Sequence, residues 1–66
     1  MNIGNIRDGL SIFAKIDGAD KYCAAEHDVL YAGETPPNQM QSTHRAALEK
    51  LGWMWDEDLE TWYAFT

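Results

Sequence analysis

The sequence predicts an α+β domain of αββαββ type, in which a four-stranded, mostly antiparallel sheet carries two helices on one face. Two observations and one packing argument predict this fold. Apolar residues recur at helical spacing in two segments, at 3–16 and 39–51. A stretch rich in β-branched and aromatic residues follows each segment, at 21–33 and 53–65. Two αββ units bury their apolar surfaces most simply as one sheet under two helices.

The chain has 66 residues, which predicts one domain over residues 1–66. A core of this size supplies only about 3–5 kcal/mol, so a small domain needs a further source of stability. Cys23 is the only cysteine, which excludes an intramolecular disulfide. Large aromatic side chains or a homodimer remain as the sources of stability.

Eleven acidic residues against five basic ones give a formal charge of −6. This balance disfavours direct nucleic-acid binding, which needs Lys and Arg to neutralise phosphates. An acidic surface fits either an ordinary soluble protein or attraction to a basic partner. The single cysteine, the lack of a signal-peptide pattern and the lack of a long apolar run predict a cytoplasmic protein without membrane contact.

The first helix is predicted over residues 3–16, because five apolar residues fall on one stripe. Asn2 or Asn5 can cap its start by accepting a backbone N–H bond. Gly9 weakens it by up to about 1 kcal/mol relative to alanine, and Gly18 is a suitable end. The stripe consists of Ile3, Ile6, Leu10, Phe13 and Ile16.

Residues 21–33 predict a hairpin that turns at His27 and Asp28, with one longer strand as the alternative. Cys23 is expected to be a small buried residue of this segment. The loop over residues 34–38 contains Pro36 and Pro37, which no helix can cross.

The second helix is predicted over residues 39–51. Asn38 and Gln41 have the spacing of a capping box, with Ser42 as the rival cap. Gly52 is a suitable end. The residues expected on its buried stripe are Met40, His44, Ala47, Leu48 and Leu51.

The closing segment, residues 53–65, holds five of the eight aromatic residues and predicts a hairpin. Strand alternation places Trp53 and Trp55 on one face, and it separates Trp62 from Tyr63. Five aromatics offer more apolar surface than two short helices cover. We therefore expect most of them to hold the core together, and one or two to remain exposed as anchors for a partner.

The tip of this hairpin carries four acidic residues and no glycine of the kind that a calcium loop needs. A solvated turn that blocks edge pairing is one interpretation, and a contact for Arg or Lys of a partner is the other. The residues predicted to bind a partner are Trp53, Trp55, Trp62, Tyr63, Asp56, Glu57, Asp58 and Glu60.

No catalytic residue, cofactor or metal site is predicted, and the chain is not expected to be an enzyme. Cys23 and His27 would lie about 13 Å apart along one strand, too far to share a metal or act as a nucleophilic pair. No phosphate-binding glycine loop or nucleophile motif is present.

The stretch LEKLGWMWDE at residues 48–57, followed by Trp62 and Phe65, resembles the C-terminal signature of small acidic proteins encoded by phages and prophages. The segment AEHDVLY at residues 25–31 is similar to their middle segment. The resemblance implies a phage or mobile-element origin, a host-cell cytoplasmic location and a compact α+β fold, and it transfers no catalytic residue.

The preferred hypothesis is therefore a non-enzymatic protein that binds a host or phage protein. Inhibition of host machinery, as by anti-CRISPR proteins or DNA mimics, is expected only by analogy of size, charge and origin. One alternative is a self-associating module whose free sheet face forms a homodimer. Another is a small metal-binding module through Cys23, His27 and Asp28.

Overall fold

The order of helices and strands agrees with the prediction. The computed structural model describes all 66 residues. A short 3₁₀ helix over Pro37–Gln39 precedes the second α-helix. The elements are α1 (Ile3–Asp17), β1 (Cys23–Glu26), β2 (Val29–Ala32), α2 (Ser42–Lys50), β3 (Met54–Asp56) and β4 (Thr61–Phe65).

The four strands form one antiparallel sheet in the order β1-β2-β4-β3. Each predicted hairpin is present, and the two hairpins join through their second strands. Ala32 pairs with Trp62 and Leu30 pairs with Ala64 across this join. Strands β1 and β3 are therefore the edges, and the aromatic strand β4 lies inside the sheet.

Both helices cover the same face of the sheet, which confirms the predicted architecture. Alternate residues of the central strands, namely Ala32, Trp62 and Ala64, are buried on this face. Phe13 of α1 and Leu48 of α2 pack against them. Trp53, immediately before β3, completes the core and is 1% exposed. Neither helix has the length and apolar character needed to cross a membrane.

The core depends on a close approach of Trp53 to the backbone of α1. The indole Nε1 donates to the carbonyl oxygen of Asn5 at 3.2 Å. A Cβ on Gly9 would lie 2.1 Å from that nitrogen, so only glycine leaves room for the ring. The Phe13 ring meets the indole edge-on, with centroids 5.0 Å apart. Gly9, predicted from sequence only as a weak helix residue, is thus the contact point of the main core side chain.

The helix ends follow the sequence signals at three of four places. The Asn2 side chain accepts from the Asn5 N–H and caps α1. Gly18 and Gly52 follow the two helices with positive φ. At Gly52 the N–H groups of residues 52 and 53 return to the carbonyls of residues 49 and 48, which forms a Schellman motif.

The start of α2 differs from the prediction. The helix begins at Ser42 rather than near Gln39, because residues 37–39 form a 3₁₀ turn. Gln41 occupies the N-cap position without a side-chain cap bond, so neither the capping box nor the Ser42 cap forms.

Two predictions of burial were wrong. Ile3 is 85% exposed, because the core contact of α1 lies at Gly9 and Phe13, about 9 Å or more farther along the helix axis. Cys23 is exposed because β1 is an edge strand whose four residues are all exposed.

We expect Gly9→Ala to destabilise the protein by about 1–2 kcal/mol. Overpacking a core typically costs about 1–3 kcal/mol, and the gain in helix propensity offsets up to about 1 kcal/mol. Urea denaturation followed by circular dichroism measures the difference. Gly4→Ala is the control, because a Cβ there meets its nearest atom at an ordinary 3.5 Å. Equal stability of the two variants would show that the Trp53 ring does not lie against Gly9.

Candidate partner-binding groove

A groove of about 690 Å³ lies between the tip of the β3–β4 hairpin and the loop that follows β2. The hairpin contributes an aromatic side chain, two acids and a leucine. The loop contributes a third acid, two prolines and two amides. The lining residues are Glu34, Pro36, Pro37, Asn38, Gln39, Trp55, Glu57, Leu59 and Glu60. We call this feature the acidic groove.

The loop wall of the acidic groove is fixed from two sides. The Asp17 carboxylate at the end of α1 accepts from the Glu34 N–H at 2.9 Å and from the Thr35 hydroxyl. The Trp62 indole donates to the Thr35 carbonyl oxygen at 2.9 Å. The same tryptophan therefore fills the core and holds the loop that forms the groove.

The hairpin wall is ordered by its own side chains. The Asp56 carboxylate accepts from the N–H groups of Asp58 and Leu59, at 2.9 and 3.0 Å. Glu60 closes the turn with φ of 54°. Asp56 thus stabilises the turn, whereas Glu57 and Glu60 line the groove.

Trp55 is the aromatic side chain of the acidic groove. It pairs with Trp62 across the hairpin, and their rings meet at 69° with centroids 5.9 Å apart. No buried side-chain nitrogen or oxygen lacks a hydrogen-bond partner, and only the indoles of Trp53 and Trp62 donate within the chain. The Trp55 Nε1 is therefore open to solvent. Trp55 is only partly buried, so it both packs against the core and lines the groove.

The groove is acidic without a compensating base. No Lys, Arg or His lines it. Lys21 Nζ lies 3.8 Å from Glu34, with both side chains more than half exposed, so this pair screens one acid weakly. Glu57 and Glu60 have no cationic partner, since the other ion pair joins Arg7 to Asp8. A cation entering the groove would meet two free carboxylates and an indole.

The predicted partner-binding residues separate into distinct environments. Trp53 and Trp62 are each 1% exposed, so they are core residues and cannot act as surface anchors in this fold. Tyr63 lies on the face of the sheet opposite the helices, because Trp62 and Ala64 on either side of it are buried on the helix face. Asp58 is exposed at the tip, outside the groove lining.

Three predicted residues meet in the groove, namely Trp55, Glu57 and Glu60. No feature of the sequence predicted that Glu34, Pro36 and Pro37 would lie opposite these three residues. Roughly twenty residues separate the two walls along the chain, and no local pattern encodes that contact. The pairing of β2 with β4 creates it, by placing the end of β2 beside the start of β4.

The remaining polar residues do not assemble into a site. No three His, Cys, Asp or Glu side chains are placed to hold a metal ion. Cys23 and His27 are both exposed, at the start of β1 and in the turn after it. The pKa of Arg7 is raised by its hydrogen bond to Asp8 and by the carboxylate charge, offset in part by desolvation. Arg7 lies on α1, which contributes no residue to the groove.

No protein-family model, curated protein or solved structure compared with the chain shows significant similarity to it. The resemblance to small acidic phage proteins therefore stays a prediction.

We expect Asp17→Asn to destabilise the protein by about 1–2 kcal/mol, because hydrogen bonds to a charged group contribute about 1.5–3 kcal/mol and an amide retains only part of this. Thermal and urea unfolding measure the loss. Asp20→Asn is the matched control, since it removes the same charge from an exposed side chain three residues away. An equal, small effect of both changes would show that Asp17 does not anchor the loop.

Proposed function

We propose that the protein is a non-enzymatic interaction protein that binds a basic, extended segment of a partner protein in the acidic groove. The observation that carries the proposal is the combination of Trp55 with two unpaired acids, Glu57 and Glu60, in a groove that no base lines. The site is preformed, because hydrogen bonds to Asp17, Asp56 and Trp62 fix both walls.

Arginine is the side chain that suits this groove best. Its planar guanidinium can stack on the exposed side of Trp55 while donating to Glu57 or Glu60. An exposed cation–π contact contributes about 0.5–1 kcal/mol, and an exposed ion pair contributes about 0.2–1 kcal/mol. One arginine is therefore insufficient for stable binding, and a partner segment must present several cations along the groove.

Two further features support a basic partner. The formal charge of −6 attracts a basic surface at long range and raises the rate of encounter. The prolines of the loop wall present an apolar surface without side-chain flexibility, which lowers the entropy cost of binding. The predicted phage resemblance supports a host or phage protein as the partner.

We expect Glu57→Lys/Glu60→Lys to weaken binding of a fluorescein-labelled octapeptide of alternating arginine and serine by about tenfold, or about 1.4 kcal/mol. Fluorescence anisotropy at low ionic strength measures the affinity, and added salt should weaken the wild-type complex. Asp20→Lys/Glu49→Lys is the matched control, because it changes the net charge equally at exposed positions outside the groove.

The control double is expected to lose less than about threefold in affinity, since distant exposed charges act only through screened attraction. If both doubles weaken the peptide equally, the attraction is a property of net charge and the groove is not a site. A peptide of alternating glutamate and serine should not bind any of the three proteins.

A further inference from the structure

The sheet face opposite the helices is apolar and aromatic. Strand pairing places Tyr31, Tyr63 and Met54 in one row across β2, β4 and β3, with Val29 and Phe65 in the next row on the same side. The rings of Tyr31 and Tyr63 lie 6.5 Å apart, and those of Tyr63 and Phe65 lie 5.7 Å apart at 90°. Phe65 is 57% exposed and Met54 is 39% exposed. We call these five residues the outer face.

This composition departs from that of a solvated sheet face. An antiparallel sheet with one covered face normally alternates apolar residues inward with polar residues outward. Here the central strands carry apolar or aromatic residues on both sides, and no charged residue lies among the five. Only six hydrophobic residues are buried in the core. Five apolar or aromatic residues on the opposite face are therefore nearly as many as the core itself contains.

Two acids mark the limits of the outer face at diagonally opposite corners. Glu26 pairs with Val29 at the β1 edge, beside the row that contains Phe65. Asp56 pairs with Thr61 at the β3 edge, at the other end of the strands. No base lies at either of these positions.

We propose that the outer face binds a second copy of this chain, so that two sheets pack face to face with the helices outside. Stacked sheets pack with their strands aligned to within about 30°. In a two-fold dimer of this kind the symmetry axis runs along or across the strands. Either axis places Glu26 and Asp56 opposite corners of the partner that carry no acid. Two copies of an acidic chain can thus meet here without opposing their carboxylates.

The size of the outer face sets the strength of this dimer. From strand spacing and rise, the three strands and two rows of side chains of the outer face measure about 13–15 Å in each direction. Its area is well below the roughly 800 Å² per partner of a standard stable interface. The dimer is therefore weak, and it forms between about 10 µM and 1 mM protein. The acidic groove lies on the helix side of β3 and remains open in both states.

Sedimentation equilibrium over this concentration range tests the dimer. The weight-average mass should rise from the 7.5 kDa of one chain toward twice that value. Phe65→Glu and Met54→Glu should each weaken association at least tenfold, because each buries a carboxylate against an apolar face. Both residues are exposed in the monomer, so circular dichroism should show a retained fold.

Ile3→Glu is the matched control, since it places the same acid on an exposed apolar residue of α1. It should dimerise like the wild type, as should Glu57→Lys/Glu60→Lys, which tests the groove separately. In a mixture of labelled and unlabelled chains, isotope-filtered NOEs should join the Met54 methyl to tyrosine rings of the other copy. A protein that stays monomeric up to 1 mM, or one that dimerises equally well with Phe65→Glu, overturns the proposal.

Discussion

The contact between the Trp53 indole and the backbone of α1 at Gly9 is the constraint on which the rest of the structure depends. It joins the closing hairpin to the first helix, forty-four residues away, and it positions Phe13 over the sheet. Truncating a buried tryptophan to alanine costs about 3–5 kcal/mol, which is about the whole stability of a core this small. The domain has no disulfide, so this contact and the pairing of β2 with β4 are what hold its two halves together.

The pairing of the strands explains why Trp62 is buried in the core whereas Trp55 is partly exposed. Trp62 lies on a central strand and is covered on all sides, so its indole can also hold Thr35. Trp55 lies opposite it on the edge strand β3, where no further strand covers it. One cross-strand pair therefore contributes both to the core and to the surface of the acidic groove. Trp62 thus connects the groove to the core, through its ring contact with Trp55 and its hydrogen bond to the Thr35 carbonyl oxygen.

Local signals in the sequence predicted the order and type of the helices and strands, although α2 begins three residues later than predicted. Periodicity placed α1, and strand alternation separated Trp62 from Tyr63, because both depend only on neighbours along the chain. Contacts between segments that are distant along the chain could not be predicted from local patterns. Gly9 is important only because Trp53 packs against it. The groove forms only because the loop after β2 lies beside the β3–β4 hairpin, and no local pattern encodes this placement. The exposure of Cys23 follows from strand order, which alternation does not encode.

Hydrogen exchange of the three indole N–H groups shows directly whether Trp53 is held against α1, because each tryptophan gives one resolvable signal in an ¹H–¹⁵N spectrum. We expect slow exchange for Trp53 and Trp62, whose indole protons are buried and hydrogen-bonded to the carbonyl oxygens of Asn5 and Thr35. We expect fast exchange for the Trp55 indole, which makes no hydrogen bond within the chain. Equal exchange rates for all three indoles, or a protected Trp55 beside an unprotected Trp53, would show that Trp53 is not held against α1.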